Sequence, residues 1–149
     1  MSMTKCHAAL ACLTLCLSLP WAALATAPAT PPATDLPADC ARAQTQRQLN
    51  ACAYADFEVA QAGYAAVFRD LSAGVDSAQR TLLRTAQTAW LQYRTAACDF
   101  EASGVRGGSA EPMVRLHCQT RLTRERTQAL RRQLHCPEGD LGCLRPVRP

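Results

Sequence analysis

Cysteines, histidines and closely spaced carboxylates are the side chains of this sequence that could do chemistry, and their spacing points to structure. Nine cysteines are present, of which Cys6, Cys12 and Cys16 lie in an apolar beginning and six lie beyond it: Cys40, Cys52, Cys98, Cys118, Cys136 and Cys143. A zinc site is not expected, because no pair has C-x-x-C spacing and His117 and His135 directly precede cysteines instead of following them at ligand distance. A cysteine nucleophile needs a free thiolate beside a base, which a disulfide-bonded sulfur cannot supply. Asp99 and Glu101 are neighbours in sequence, but residues i and i+2 of a helix point apart. Glycoside hydrolysis needs two carboxylates facing each other across a cleft. The expectation is therefore a protein that is not an enzyme and takes no metal and no cofactor.

The elements that must position these residues begin after a targeting segment. Lys5 precedes an almost unbroken apolar run from Ala8 to Leu19, Pro20 ends it, and Ala23-Leu24-Ala25 and Ala25-Thr26-Ala27 give two small-residue cleavage patterns. That order is a secretory signal, expected over residues 1–27 and cut after Ala25 or Ala27. The run is too short to cross about 30 Å of hydrocarbon as a helix, so a membrane-spanning segment is not expected. Residues 28–39 hold Pro28, Pro31, Pro32 and Pro37 among Ala and Thr and read as an extended linker. A periplasmic or secreted location follows, in which six cysteines form a disulfide framework. One domain is expected over residues 40–134, too small to be secure on burial alone, followed by a disulfide-closed tail at 135–149.

Three helices are predicted from period and caps, and no segment shows strand alternation. Thr45 and Gln48 form a capping box before Leu49, Ala53, Phe57, Ala60, Tyr64, Phe68 and Leu71, which recur every three or four residues until Gly74. Asp76 with Gln79 opens the second helix, whose apolar stripe is expected to be Leu83, Ala86, Trp90, Tyr93, Ala97 and Phe100. Gly104, Gly107 and Gly108 break it. The third begins near Pro112, carries Cys118, Leu122, Ala129, Leu130 and Leu134 inward, and closes at Pro137. Long helices with short connections pack antiparallel, so the fold class is all-α: an up-down-up three-helix bundle stapled by disulfides.

Geometry narrows the fifteen pairings that six cysteines allow. Twelve helical residues would put Cys40 about 18 Å from Cys52, beyond the roughly 7 Å Cα limit. With Thr45 as cap, however, Cys40 lies outside the helix and can fold back on it. Cys98 and Cys118 flank the glycine break, and Cys136 and Cys143 close the tail. The pairing Cys40–Cys52, Cys98–Cys118, Cys136–Cys143 contorts the chain least.

Cys40, Thr45-Gln46 and Leu49-Asn50-Ala51-Cys52-Ala53 are similar to the C…TQ…MN-x-CA opening of the lysozyme inhibitor LprI-like family. Ala86-Gln87-Thr88-Ala89-Trp90, Tyr93-Arg94 and Cys98 resemble its AQ-x-x-W…YR…C centre. Gly107-Gly108-Ser109, Pro112, Cys118, Leu122-Thr123, Arg126 and Leu130 resemble its close. The resemblance implies an exported α-helical module and, for some members, inhibition of lysozyme. The chain departs from the pattern where Ala60-Gln61, Tyr64-Ala65 and Phe68 stand in place of AD…LN…Y, and where Thr95 stands in place of an aspartate. Cys136 and Cys143 lie outside the matched span.

Candidate binding residues follow. The segment from Ser103 to Pro112, with Arg106 at its tip, could plug a lysozyme groove, and Gly107, Gly108 and Ser109 before a helix start could cradle an anion. Arg121, Arg124, Arg131 and Arg132 fall on one outward sector of the third helix. Gln87, Arg94 and Glu101 lie seven apart beside the Trp90 stripe, and Arg126 sits between Leu122 and Leu130. A buried arginine needs a partner, so a structural polar network is expected in which Arg126 meets Glu101 or a backbone carbonyl across the interface of the second and third helices, with Arg94 in reach of the same carboxylate. The alternative is that Arg126 snorkels to the bundle edge. Trp90 and Tyr93 read as core rather than as a sugar platform. The expected function is an exported envelope binding protein that inhibits lysozyme, its partner a protein and not nucleic acid. The alternative is a structural or accessory module that docks its basic helix on an anionic envelope component.

Overall fold

The computed structural model describes residues 40–137 and 139–144. The secretory leader and linker expected over residues 1–39 lie outside the described residues. Three long helices follow one another: α1 Gln46–Gly74, α2 Ser77–Glu101 and α3 Glu111–Leu134. Short 3-10 turns, Cys40–Arg42 and Ala102–Val105, precede α1 and follow α2. Among the described residues no strand occurs and no helix is long and apolar enough to cross a membrane.

The helix starts are set by local chemistry. Thr45 accepts from the Gln48 backbone N–H while the Gln48 side chain accepts from the Thr45 N–H, and Asp76 and Gln79 repeat this reciprocal pair for α2. Each box satisfies two of the N–H groups that a helix start leaves orphaned. At the turn between α1 and α2, Arg80 donates from Nε to the Ser72 carbonyl (2.7 Å) and from Nη2 to the Val75 carbonyl (3.0 Å). One guanidinium thus serves the carbonyls that the end of α1 leaves free.

α1 packs most extensively on α3. The contact suits small side chains: α1 buries Ala51, Ala53 and Ala60, and α3 buries Thr120, Thr123 and Thr127. Larger apolar residues gather at the other end, where Tyr64, Val67, Leu71, Val75, Leu83 and Leu130 form a buried cluster. A second cluster of Cys98, Cys118 and Leu122 lies toward the Ala102–Val105 turn, and Trp90 packs against both.

The three disulfides are Cys40–Cys52, Cys98–Cys118 and Cys136–Cys143, with Cα separations of 5.8, 5.5 and 5.6 Å. The second fixes the rotation of α2, and this corrects the face expected for that helix. The inward line is Leu83, Gln87, Trp90, Arg94 and Cys98, with Gln87 and Cys98 buried and Arg94 and Trp90 half-buried. Ala86, Tyr93 and Phe100, expected on the core stripe, are exposed, Tyr93 by 59% and Phe100 by 82%. Cys98 bonded to Cys118 holds its own side of the helix against α3 and turns Ala86, Tyr93 and Phe100, about 120–160° around the helix from it, outward.

Candidate functional site

Where the two apolar clusters meet, the bundle centre is cationic and aromatic. The Trp90 ring stacks on Tyr64 at 5.5 Å between centroids, and the guanidiniums of Arg94 and Arg126 lie 5.0 and 6.0 Å from the Trp90 centroid. Arg94 also lies 5.4 Å from the Phe57 centroid and donates from Nη1 to Gln61 Oε1 and Thr123 Oγ1, both at 2.9 Å. It therefore joins all three helices. The aromatic faces take the place of a counter-charge, each such contact being worth about 0.5–2 kcal/mol. Burial lowers the Arg94 pKa, opposed by its attraction to Tyr64. Four polar atoms here, Tyr64 Oη, Gln87 Oε1, Arg94 Nε and Arg126 Nε, are buried without a partner among the described residues.

The expected shared carboxylate is absent from this cluster. Glu101 instead accepts from Arg121 Nη2 at 2.8 Å, and no ion pair or hydrogen bond joins it to Arg94 or Arg126 among the described residues. The reason is axial distance. The disulfide places Cys98 level with Cys118, and because α2 and α3 run antiparallel, Arg126 is level with Trp90. That leaves Glu101 about 16 Å further along the bundle. Arg94, level with Leu122 and Thr123, reaches the threonine. Gln61 stands where the family resemblance led to expect an acid, so a neutral amide is the acceptor that α1 offers to Arg94.

Burial pushes the Tyr64 phenol up to about 12, with Arg126 and Arg94 pulling the other way. The unfolded chain holds this proton less tightly, its phenol titrating near 10. Stability from Tyr64 is thus fully present below pH 10 and lost as pH rises toward about 12, by at most about 1.4 kcal/mol per pH unit. Denaturant midpoints measured from pH 9 upward should fall for the native chain, and less for Tyr64→Phe. Equal slopes would show that Tyr64 is not the group responsible.

At the far end of the bundle, the segment between α2 and α3 is held by a ring of bonds. Arg106 N donates to Ser103 O (3.4 Å), Gly108 N to Val105 O (3.0 Å), and Glu111 N to Gly108 O (3.1 Å). Gly107, at φ 75°, has the left-handed backbone that glycine adopts without strain. Its N–H donates to Glu111 Oε2 at 2.6 Å. Of the N–H groups that could cradle an anion at Gly107, Gly108 and Ser109, that of Gly107 is therefore taken by a carboxylate of the chain itself and that of Gly108 by the Val105 carbonyl. Ser109 does not cap α3, whose cap position is Ala110 with no side-chain bond. Its carbonyl instead accepts from Asn50 Nδ2 at 3.0 Å, tying the loop to α1. Arg115 pairs with Asp99 and, at 2.5 Å, with Glu111. Arg106 is exposed and is the one charged residue between Glu101 and Glu111.

The basic sector of α3 divides. Arg121 is paired with Glu101 and, at 3.6 Å, with Glu125. Arg124 and Arg131 border a shallow groove between α1 and α3, floored by Ala60, Gly63 and Thr127, and Arg132 is exposed.

A family model described as Lysozyme inhibitor LprI matches residues 38–130. The chain belongs to the LprI family. An uncharacterized protein of Rhizobium meliloti (strain 1021) is 33% identical over 114 residues, which is 68% of this chain and 82% of that protein. No solved structure matches. The LprI match holds the Cys40–Cys52 and Cys98–Cys118 bonds, the Trp90 cluster and the whole Ser103–Pro112 segment, and it stops short of Cys136–Cys143. Sequence reasoning missed Asn50, Glu111 and Arg115 as the residues that shape this segment. Glu111 and Arg115 stand at the i,i+4 spacing of a helical ion pair, a signal that could have found them, whereas Asn50 meets Ser109, and Arg115 meets Asp99, only through the packing of the helices.

Proposed function

We propose that this LprI-family chain is an exported envelope protein that inhibits lysozyme by inserting the Ser103–Pro112 segment into the enzyme's glycan groove. In this reading residues 1–27 are the secretory leader and residues 28–39 a linker that holds the helical domain away from its surroundings. One observation carries the proposal: a single exposed cation, Arg106, sits on a loop whose backbone is fixed by its own hydrogen bonds, by the Gly107–Glu111 contact and by Asn50 of α1. A lysozyme groove works through two carboxylates, to which a lone guanidinium is complementary. A loop already held in one conformation loses little entropy on binding.

Arg106→Ala should raise the concentration for half-inhibition of lysozyme in a turbidity assay about 10- to 100-fold, as loss of one central charged contact does. Arg106→Glu should abolish inhibition, and the thermal melt of both variants should match the native chain, since the Arg106 side chain is exposed and makes no ion pair among the described residues. Full inhibition by Arg106→Glu would exclude this loop as the plug.

The groove bordered by Arg124 and Arg131 favours a second reading, an accessory module that docks on an anionic envelope component through α3. Such binding would weaken steeply as salt rises, whereas a seated loop would lose far less.

A further inference from the structure

The outward face of α2 is built unlike an ordinary solvated helix face. Leu82, Ala86, Ala89, Tyr93, Ala96 and Phe100 are all exposed, Leu82 by 70%, Tyr93 by 59% and Phe100 by 82%. Their spacing is four, three, four, three, four, which is the alternation of a helix-pairing seam. At about 100° per residue they lie within about 40° of one line, and every residue within about 80° of that line is uncharged. The five charged residues of α2, which are Arg80, Arg84, Arg94, Asp99 and Glu101, all fall outside this sector. A solvent-facing helix of 25 residues would be expected to carry its charges there, and contiguous exposed apolar surface marks an interaction site.

We propose that this face pairs with the same face of a second copy of the chain, α2 against α2, antiparallel about a two-fold axis. The seam is self-complementary only in that sense. Antiparallel pairing centred on the level of Leu91 sets Leu82 against Phe100, Ala86 against Ala96, and Ala89 against Tyr93 of the other copy. Every aromatic ring then faces a smaller side chain, and the alanines let the axes approach to about 8–10 Å. Parallel pairing would set Tyr93 on Tyr93 and Phe100 on Phe100 with gaps at the alanines between. Antiparallel helices also align their dipoles favourably. A two-fold contact uses one patch on both partners and closes, which gives a dimer and not a filament. Aromatic side chains bury about 150–250 Å² each. The four exposed rings, with the two leucines and the alanines, thus bring the contact close to the roughly 1,000 Å² that a specific interface needs.

Sedimentation of the full chain over about 1 to 100 µM should show a monomer–dimer equilibrium, the affinity range open to an interface of this size. Ala89→Glu should raise the dissociation constant at least about 30-fold, because it places an unpaired charge in the seam. Its circular dichroism and melt should be unchanged, since Ala89 is exposed on the outward face of α2. Tyr93→Lys should weaken self-association likewise. Mixing the Ala89→Glu and Tyr93→Lys chains should restore a dimer, since antiparallel register sets position 89 of one against position 93 of the other. A chain that stays monomeric throughout the range overturns the proposal. So does a dimer indifferent to Ala89→Glu, which would place the contact elsewhere, on residues 1–39 or on another face. Failure of the mixed pair to associate while the native chain dimerises overturns the antiparallel register.

Discussion

Trp90→Ala should lower the stability of the domain by about 3–5 kcal/mol, the usual cost of deleting a large core aromatic. At about 4–8 °C per kcal/mol for a domain of this size, the melt should drop by more than about 12 °C. The size of the effect follows from position. Trp90 is the residue that packs against both apolar clusters, Tyr64-Leu71-Leu83-Leu130 on one side and Cys98-Cys118-Leu122 on the other. Its ring stacks on Tyr64 and also faces two guanidiniums that make no ion pair with a carboxylate among the described residues. Truncation would leave a cavity between the clusters and remove the aromatic face that stands in for a counter-charge at Arg94 and Arg126. Phe100→Ala is the control: it removes an aromatic ring, smaller than indole, from the same helix, but one that is 82% exposed, so the change in the monomer should stay within about 0.5 kcal/mol. A Trp90→Ala melt within about 3 °C of the native chain would mean that the ring is not core.

These two aromatics also show where the sequence could be read and where it misled. Rules confined to a few residues held. Thr45 and Asp76 open α1 and α2 with the reciprocal boxes expected of them, and the three disulfides join the cysteines that chain geometry favours. The face of α2 was harder, because apolar residues lie on two of its sides. Phe100 and Tyr93 belong to an outer line, while the inner line carries Gln87 and Arg94 between Leu83 and Cys98. Hydrophobic period alone ranks the outer line higher, since it counts Gln and Arg as polar and cannot register that one is buried and the other half-buried between rings and hydroxyls. The partner of Arg126 failed for a different reason. A helical wheel gives angle but not height, and Glu101 shares the sector with Gln87 and Arg94 while lying at the wrong level to reach Arg126. The burial of the α3 threonines carries no signal in the hydrophobic period. Thr123 is inward where it accepts from Arg94, and Thr127, which donates to the Thr123 carbonyl, lies beside Ala60 and Gly63 of α1.

Replacing Cys98 and Cys118 together by alanine should cost about 3–5 kcal/mol, and the larger part of that loss comes from the unfolded chain. Closing a loop of 20 residues restricts the unfolded ensemble by about 3 kcal/mol, and the disulfide returns that restriction as stability. The remainder is packing. Cys98 and Cys118 are 0% and 1% exposed, so two alanines leave a small void in the cluster they share with Leu122. Against a total stability of about 5–15 kcal/mol for a single domain, the variant would be close to unfolding at body temperature. Replacing Cys136 and Cys143 should behave differently, although the same chemistry is removed. That loop is seven residues long, both cysteines are partly exposed, and the tail they close touches the core through Leu144 alone among its described residues, so it should open locally and cost the domain less than about 1 kcal/mol. Urea titrations of the two double variants beside the native chain would separate these cases. Equal midpoints for both would show that the Cys98–Cys118 bond does not brace the bundle. The first variant also bears on the proposed plug. The ring closed by Cys98–Cys118 contains the whole Ser103–Pro112 segment, so at a temperature where the variant is still folded its loop should be looser and its inhibition of lysozyme weaker. Adding Arg106→Ala to that background should then cost less inhibition than it does in the native chain, because a guanidinium on a mobile tip has already lost most of what its fixed position supplies. An undiminished effect of Arg106→Ala would mean that Arg106 acts through charge alone and that the rigidity of the loop is incidental.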